Sequence, residues 1–133
     1  KNAFTLIELV IVIAILGILA SIAIPRFLDA QATARGSRIL ADMRTMESAL
    51  SMYMLDNPVT ATGETDAAVL VTGTRQYLPA IPAVPAGTAL FPNGTELDLD
   101  STATYKIYKH SSGITDIALS WGHYDLTIDT LTR

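Results

Sequence analysis

The sequence predicts an α+β protein: one long N-terminal α-helix, an apolar stalk followed by an amphipathic half, packed on a small antiparallel β-meander head. Three observations predict it. The stretch from Phe4 to Pro25 contains a single charged residue, Glu8. The stretch after Pro25 keeps a helical period but is apolar on one face only. Residues 104–131 alternate apolar and polar with the period of a strand. The chain of 133 residues is thereby divided into a stalk helix over 1–56 (apolar 4–25, amphipathic 26–56) and a head over 57–133. Within the head, 57–103 reads as a loop region and 104–131 as antiparallel strands.

The apolar segment comes first. LVIVIAILGILASIAI, Leu9 to Ile24, carries no charge, and only Gly17 and Ser21 interrupt it. At about 1.5 Å per residue a helix from Phe4 to Pro25 is roughly 32 Å long, enough to cross the hydrocarbon core of a bilayer. A secretory signal would have a shorter apolar region followed by a small-residue cleavage site. Here the run ends in Pro25-Arg26 and continues as helix, which fits a signal anchor or an assembly segment better.

In the second half of the helix, Ile39, Met43, Met46, Leu50 and Tyr53 recur at three- and four-residue spacing, while Arg35, Arg38, Asp42, Arg44 and Glu47 occupy much of the remainder. Gly36 reads as a weak point costing about 1 kcal/mol relative to alanine. Pro58 disfavours helical geometry at Asn57, so the helix is expected to stop near Asp56.

Prolines at three-residue intervals in Tyr77 to Gly87 (YLPAIPAVPAG) suit an extended, polyproline-like path. A short strand is expected at Leu97-Asp98-Leu99. Further on, Tyr105 and Ile107 share one strand face, Ser111-Ser112-Gly113 supplies a turn, and Ile117, Leu119 and Trp121 alternate on the next strand. After Gly122, Tyr124, Leu126 and Ile128 alternate in turn. Three neighbouring strands with tight connections make a meander with one dry face, which the amphipathic half of the helix is available to cover. No internal repeat is found.

Charge narrows the function classes. Residues 1–56 carry Lys1, Arg26, Arg35, Arg38 and Arg44 against Glu8, Asp29, Asp42, Glu47 and Asp56, so the whole net charge of −4 lies in the head. An acidic head argues against broad nucleic-acid binding, which needs a basic surface. The absence of cysteine excludes disulfides and thiolate metal sites. His110 and His123 are the only histidines, both at expected strand ends, and no nucleophile motif is present, so no enzyme, cofactor or metal centre is expected. Asp98, Asp100 and Asp125 are oxygen donors suited to calcium but match no loop template. Asn93-Gly94-Thr95 is an acceptor sequon by pattern, with a simple Asn-Gly turn the commoner reading.

Phe4 to Phe27, FTLIELVIVIAILGILASIAIPRF, resembles the N-terminal segment of bacterial type IV pilins and of type II secretion pseudopilins. The likeness lies in a Phe followed four residues later by Glu, a Gly within the apolar run, and a Pro at its end. It implies a prepilin peptidase that cleaves a short leader, N-methylation of the new N-terminal residue, and extraction of the subunit from the inner membrane by an assembly machinery. The product would be an extracellular helical homopolymer. On that likeness Phe4 is the expected mature N-terminus with Ala3–Phe4 as processing site, Glu8 the assembly carboxylate, and Gly17 to Pro25 the stretch that loses helical bonding in assembled pili. Ala3 stands where the family usually has Gly. That departure leaves a second expectation, slightly favoured, of cleavage just before Lys1, which retains Lys1-Asn2-Ala3 and makes Lys1 a candidate charge partner of Glu8. The expected function is a major pilin of a type IV pilus. The alternatives are a type II secretion pseudopilin, or a signal-anchored surface-binding module that does not polymerise.

Overall fold

The computed structural model describes residues 3–58, 63–122 and 124–133, with the backbone alone at Tyr124. Lys1 and His123, both considered above, lie outside the described residues.

One helix, α1 (Leu6–Asp56), runs through Pro25 without a break. Proline removes a single backbone donor, the one that would bond the carbonyl of Ser21, and the remaining turns carry the helix across. Contacts divide the chain into two units, Lys1–Gln31 and Ala32–Arg133. In the first unit the large apolar side chains are exposed on every side of the helix, Phe4 at 89 % and Ile18 at 64 % among them. In the second unit α1 buries one stripe: Ala32, Gly36, Ile39, Leu40, Met43, Met46, Ala49 and Leu50. The spacing expected of an amphipathic face is met, and Ile39, Met43 and Met46 are fully buried.

Among the described residues the head contains six strands. In chain order they are β1 (Gly63–Asp66), β2 (Gly87–Leu90), β3 (Glu96–Leu99), β4 (Thr104–Lys109), β5 (Thr115–Trp121) and β6 (Tyr124–Thr127). A short 3-10 helix, Ala67–Leu70, follows β1, and a last turn of helix, α2 (Ile128–Thr132), follows β6. The main sheet is four-stranded and antiparallel in the order β1-β4-β5-β6, while β2 and β3 form a separate hairpin. Across β4 and β5, Tyr105 faces Leu119 and Ile107 faces Ile117. These four are the dry face foreseen from the alternation, buried in one core with Ile39, Met43 and Met46 of α1.

Two expectations are corrected. The meander has a fourth strand, because Glu64 and Asp66 of the region read as loop pair with Tyr108 and Lys106 of β4. The last strand stops at Thr127 rather than running through Ile128. Thr127 caps α2, its hydroxyl accepting from the Thr130 N–H, so Ile128 opens a helix.

The β2–β3 hairpin is held to α1 by the close approach of backbones. A Cβ at Gly36 would lie 2.1 Å from the Leu90 carbonyl oxygen. Next to it, Arg35 Nη1 donates to the Thr88 carbonyl at 3.2 Å. Gly36 is therefore a contact only glycine permits, which overrides the helix-propensity cost read from sequence. The hairpin turn uses Asn93 fully: Oδ1 accepts from the Thr95 N–H and Nδ2 donates to the Thr130 carbonyl of α2, both at 2.9 Å. Gly94 beside it has φ +84°. The Asn-Gly turn is thus the structural role of this sequence.

Candidate assembly site

Residues 3–5 precede the first turn of α1 outside any regular element, and Ala3 and Phe4 are exposed there. Glu8 does not lie idle in that turn. Its Oε2 accepts from both the Thr5 N–H and the Thr5 hydroxyl, each at 2.9 Å. The Thr5 Oγ1 accepts in turn from the Glu8 N–H at 3.3 Å. This is a reciprocal capping box, with Thr5 as N-cap and Glu8 three residues on. The signal that would have revealed it is Thr5-Leu6-Ile7-Glu8 ahead of an apolar run, a Ser/Thr-x-x-Glu pattern read above only for its carboxylate.

The capping box has two chemical consequences. It satisfies two of the four backbone donors that a helix start leaves open, the Thr5 and Glu8 N–H groups, in a segment with little other polar capacity. It also folds the carboxylate back toward the chain's beginning, one residue from the Phe4 backbone. Both bonds fall on Oε2, and among the described residues none falls on Oε1. Lys1, the candidate partner, is outside the described residues.

The other expected site residues do not converge on Glu8. At about 1.5 Å per residue, Gly17 lies roughly 14 Å and Pro25 roughly 26 Å farther along the helix. A Cβ at Gly17 would meet nothing within 4 Å. The Ser21 hydroxyl donates to the Ile18 carbonyl at 2.7 Å, so it does not serve the carbonyl that Pro25 leaves without a donor, which is Ser21's own. Glu8, Gly17, Ser21 and Pro25 share one helix whose apolar side chains are exposed among the described residues of its unit.

Elsewhere, the polar groups considered from sequence serve the fold. Asp100 accepts from the Thr102 N–H at 2.8 Å and from its hydroxyl, and these bonds hold its carboxyl below the usual range. Asp98 and Asp125 are exposed, and no group of three His, Cys, Asp or Glu among the described residues could hold a metal ion. His110 Nε2 sits 3.4 Å from Asp116. Lys106 pairs with Glu64 across β1 and β4, raising the amine and lowering the carboxyl. Glu47 is pushed up, by burial first and by the nearby Asp116 second, with Arg44 offsetting part of it.

Residues 1–24 match the family model described as the prokaryotic N-terminal methylation motif. The chain is 39 % identical over 72 residues to the type II secretion system core protein G of Klebsiella michiganensis, covering 54 % of this chain and 51 % of that one. It is 40 % identical over 72 residues to the core protein G of Vibrio cholerae, covering 54 % and 49 %. Against the type IV major fimbrial protein FimA of Dichelobacter nodosus it is 45 % identical over 56 residues, covering 42 % and 36 %. The chain spans about half the length of the core protein G relatives it matches. No solved structure matches it. A methylation motif on an apolar helix capped by Thr5 and Glu8, with partial similarity to both pseudopilin and fimbrial chains, supports a place in the type IV pilin and type II secretion pseudopilin superfamily.

Proposed function

We propose that the protein is a structural, self-assembling subunit of an extracellular type IV pilus, held in the inner membrane by its apolar helix before assembly. One observation carries the reading: from Phe4 to Leu28 the helix exposes Leu, Ile, Val and Phe around its whole circumference, with Glu8 as its only charge before Arg26. Such a surface is stable only against lipid or against its own kind. A bundle of these helices supplies the second environment, and extraction from lipid into that bundle is filament growth.

In that bundle the carboxylate of Glu8 sets axial register. Apolar helices slide past one another with little penalty, whereas a carboxylate in a dry core is costly unless it meets a cation. The amine of a neighbouring copy, freed by cleavage between Ala3 and Phe4, is the proposed cation, and Oε1 is where it binds. Melting of Gly17 to Pro25 belongs to the assembled state in this proposal, since the subunit's helix is continuous there.

Two measurements test it. Cells are sheared and the supernatant is imaged: long filaments containing this subunit are expected, and none at all would overturn the pilus reading. The Glu8→Ala variant is expected to insert into membranes as the parent does yet yield at least tenfold fewer filaments; normal filament numbers would refute the register role. Mass spectrometry of the N-terminal peptide tests cleavage at Ala3–Phe4. A second reading is favoured by the similarity to core protein G: a pseudopilin of a type II secretion system. It is distinguished by a parent strain that shows no surface filaments and by loss of protein export when the gene is deleted.

A further inference from the structure

The segment from Leu78 to Ala86 consists of three consecutive triplets, Leu-Pro-Ala, Ile-Pro-Ala and Val-Pro-Ala. Proline fixes its own φ near −65° and biases the preceding residue toward extended geometry, which favours a polyproline-II path; the chain bends at 78–80 and runs without regular secondary structure over 81–86. A polyproline-II helix has three residues per turn, and burial follows the same period. Leu78 is buried, and Ile81 and Val84 pack on the core. Ala80, Ala83 and Ala86 are exposed, as is Pro79. Among the described residues no backbone hydrogen bond holds 79–86. The result is a preformed ridge of Pro and Ala with open carbonyls, fastened from beneath by three aliphatic side chains.

The head also contains a cleft with the chemistry that reads such a ridge. Polyproline segments dock in grooves lined by aromatic rings, with side-chain donors reaching the ligand's carbonyls. Tyr53 and Tyr77 stand edge to face, ring centroids 5.5 Å apart, in a cleft of about 440 Å³. Asn57 Nδ2 donates to the Tyr77 hydroxyl, which donates to Asp56 at 2.8 Å. Arg75 bonds Asp56 at 2.9 Å and lies over the Tyr77 ring, so the wall is braced.

Ridge and cleft cannot meet within one chain. Tyr77 is a wall of the cleft and stands two residues before Pro79, while Leu78, Ile81 and Val84 pin the ridge to the core. We infer that the Pro/Ala ridge of one copy seats in the Tyr53–Tyr77 cleft of the next. Two unlike patches on one chain make a heterologous interface, the kind that propagates into an open helical assembly instead of closing into a dimer. The inference rests on the filament reading, since it is the filament that brings heads of successive copies together.

The parent chain has no cysteine, which makes a disulfide test clean. Ala83→Cys lies on the exposed flank of the ridge and Thr74→Cys on the exposed rim of the cleft. In sheared, oxidised filaments the double variant is expected to give a ladder of covalent dimers and higher multimers, abolished by reductant, with neither single variant giving one. In parallel, maleimide labelling of the Ala83→Cys single variant is expected to be at least tenfold slower in filaments than in detergent-dispersed subunits. Filaments that form without the ladder and label at the subunit rate overturn the inference and leave the filament reading standing. A ladder from Ala83→Cys alone (ridge against ridge) or a cross-link to a different protein overturns it as well. If the parent chain yields no filaments, the filament reading fails first.

Discussion

The two ends of α1 are made of similar residues and solve opposite problems. From Ala32 to Leu50 the helix buries a stripe against the sheet of its own chain, and its other faces are charged. From Leu6 to Leu28 it is apolar on all sides apart from Glu8 and Arg26, and buries nothing. The first arrangement completes a fold. The second leaves an apolar surface uncovered within its unit, so the same secondary structure serves stability in one region and, in the proposed function, assembly in the other. The contrast is visible in two glycines of the one helix: Gly36 has a backbone carbonyl where a side chain would go, and Gly17 has open space.

That contrast can be broken most forcefully in the core. Met43→Ala is expected to destabilise the head by about 2–5 kcal/mol, the usual cost of emptying a fully buried methionine site. The loss is read as a lower thermal midpoint of the head while the apolar segment still partitions into detergent. Next in size is Gly36→Ala. Helix propensity alone would favour it by about 1 kcal/mol. The collision with the Leu90 carbonyl should reverse the sign and give a net loss of about 1–3 kcal/mol by denaturant titration. A stabilised variant would show that the backbones are not in contact.

Tyr105 gives a smaller and pH-dependent effect. Its phenol is held neutral well above its ordinary range, by burial first and by the Asp42 carboxylate, 3.4 Å away, second. The unfolded chain ionises this group from about pH 10. Stability contributed by the neutral phenol is therefore complete below that pH and is lost as the pH rises toward the folded-state pKa. Tyr105→Phe should remove this part of the alkaline decline and change neutral-pH stability by about 0.5–1.5 kcal/mol. Smallest is Gly17→Ala, expected to add up to about 1 kcal/mol of helix stability in micelles, with no effect on the head. Its filaments then test melting: if the stretch must unwind on assembly, the stiffer helix should assemble more slowly.

Much of this was legible from the residues. The period of Ile39, Met43, Met46 and Leu50 marked the buried face, and the alternation of Tyr105, Ile107, Ile117 and Leu119 marked the face it meets. Neither Gly36 nor β1 could be read in advance. Local propensity sees a glycine in a helix as a defect, and only the approach of β2 from more than fifty residues away gives it a purpose. Likewise Gly63 to Asp66 has little strand character of its own, and its pairing comes from β4. At the candidate site the carboxylate stood out as the lone charge in an apolar run, and the assembly role proposed for it comes from the resemblance. Its partner Thr5 was missed, although the capping pattern was there to be read. The triplets of 78–86 are shorter than the periods at which repeats are usually sought, and their spacing suggested a path without saying which side faced out.

The contact at Gly36 has a mechanical meaning. Apolar helices on apolar sheets can creep lengthwise, because one aliphatic contact replaces another at little cost. A carbonyl oxygen that tolerates only hydrogen beneath it acts as a detent: slide α1 by one residue and Arg35 or Ser37 arrives under Leu90; slide it by a turn and Leu40 does. Those positions are closed to a side chain. The head thus clicks onto its helix at a single phase, and every copy leaves folding with the same setting.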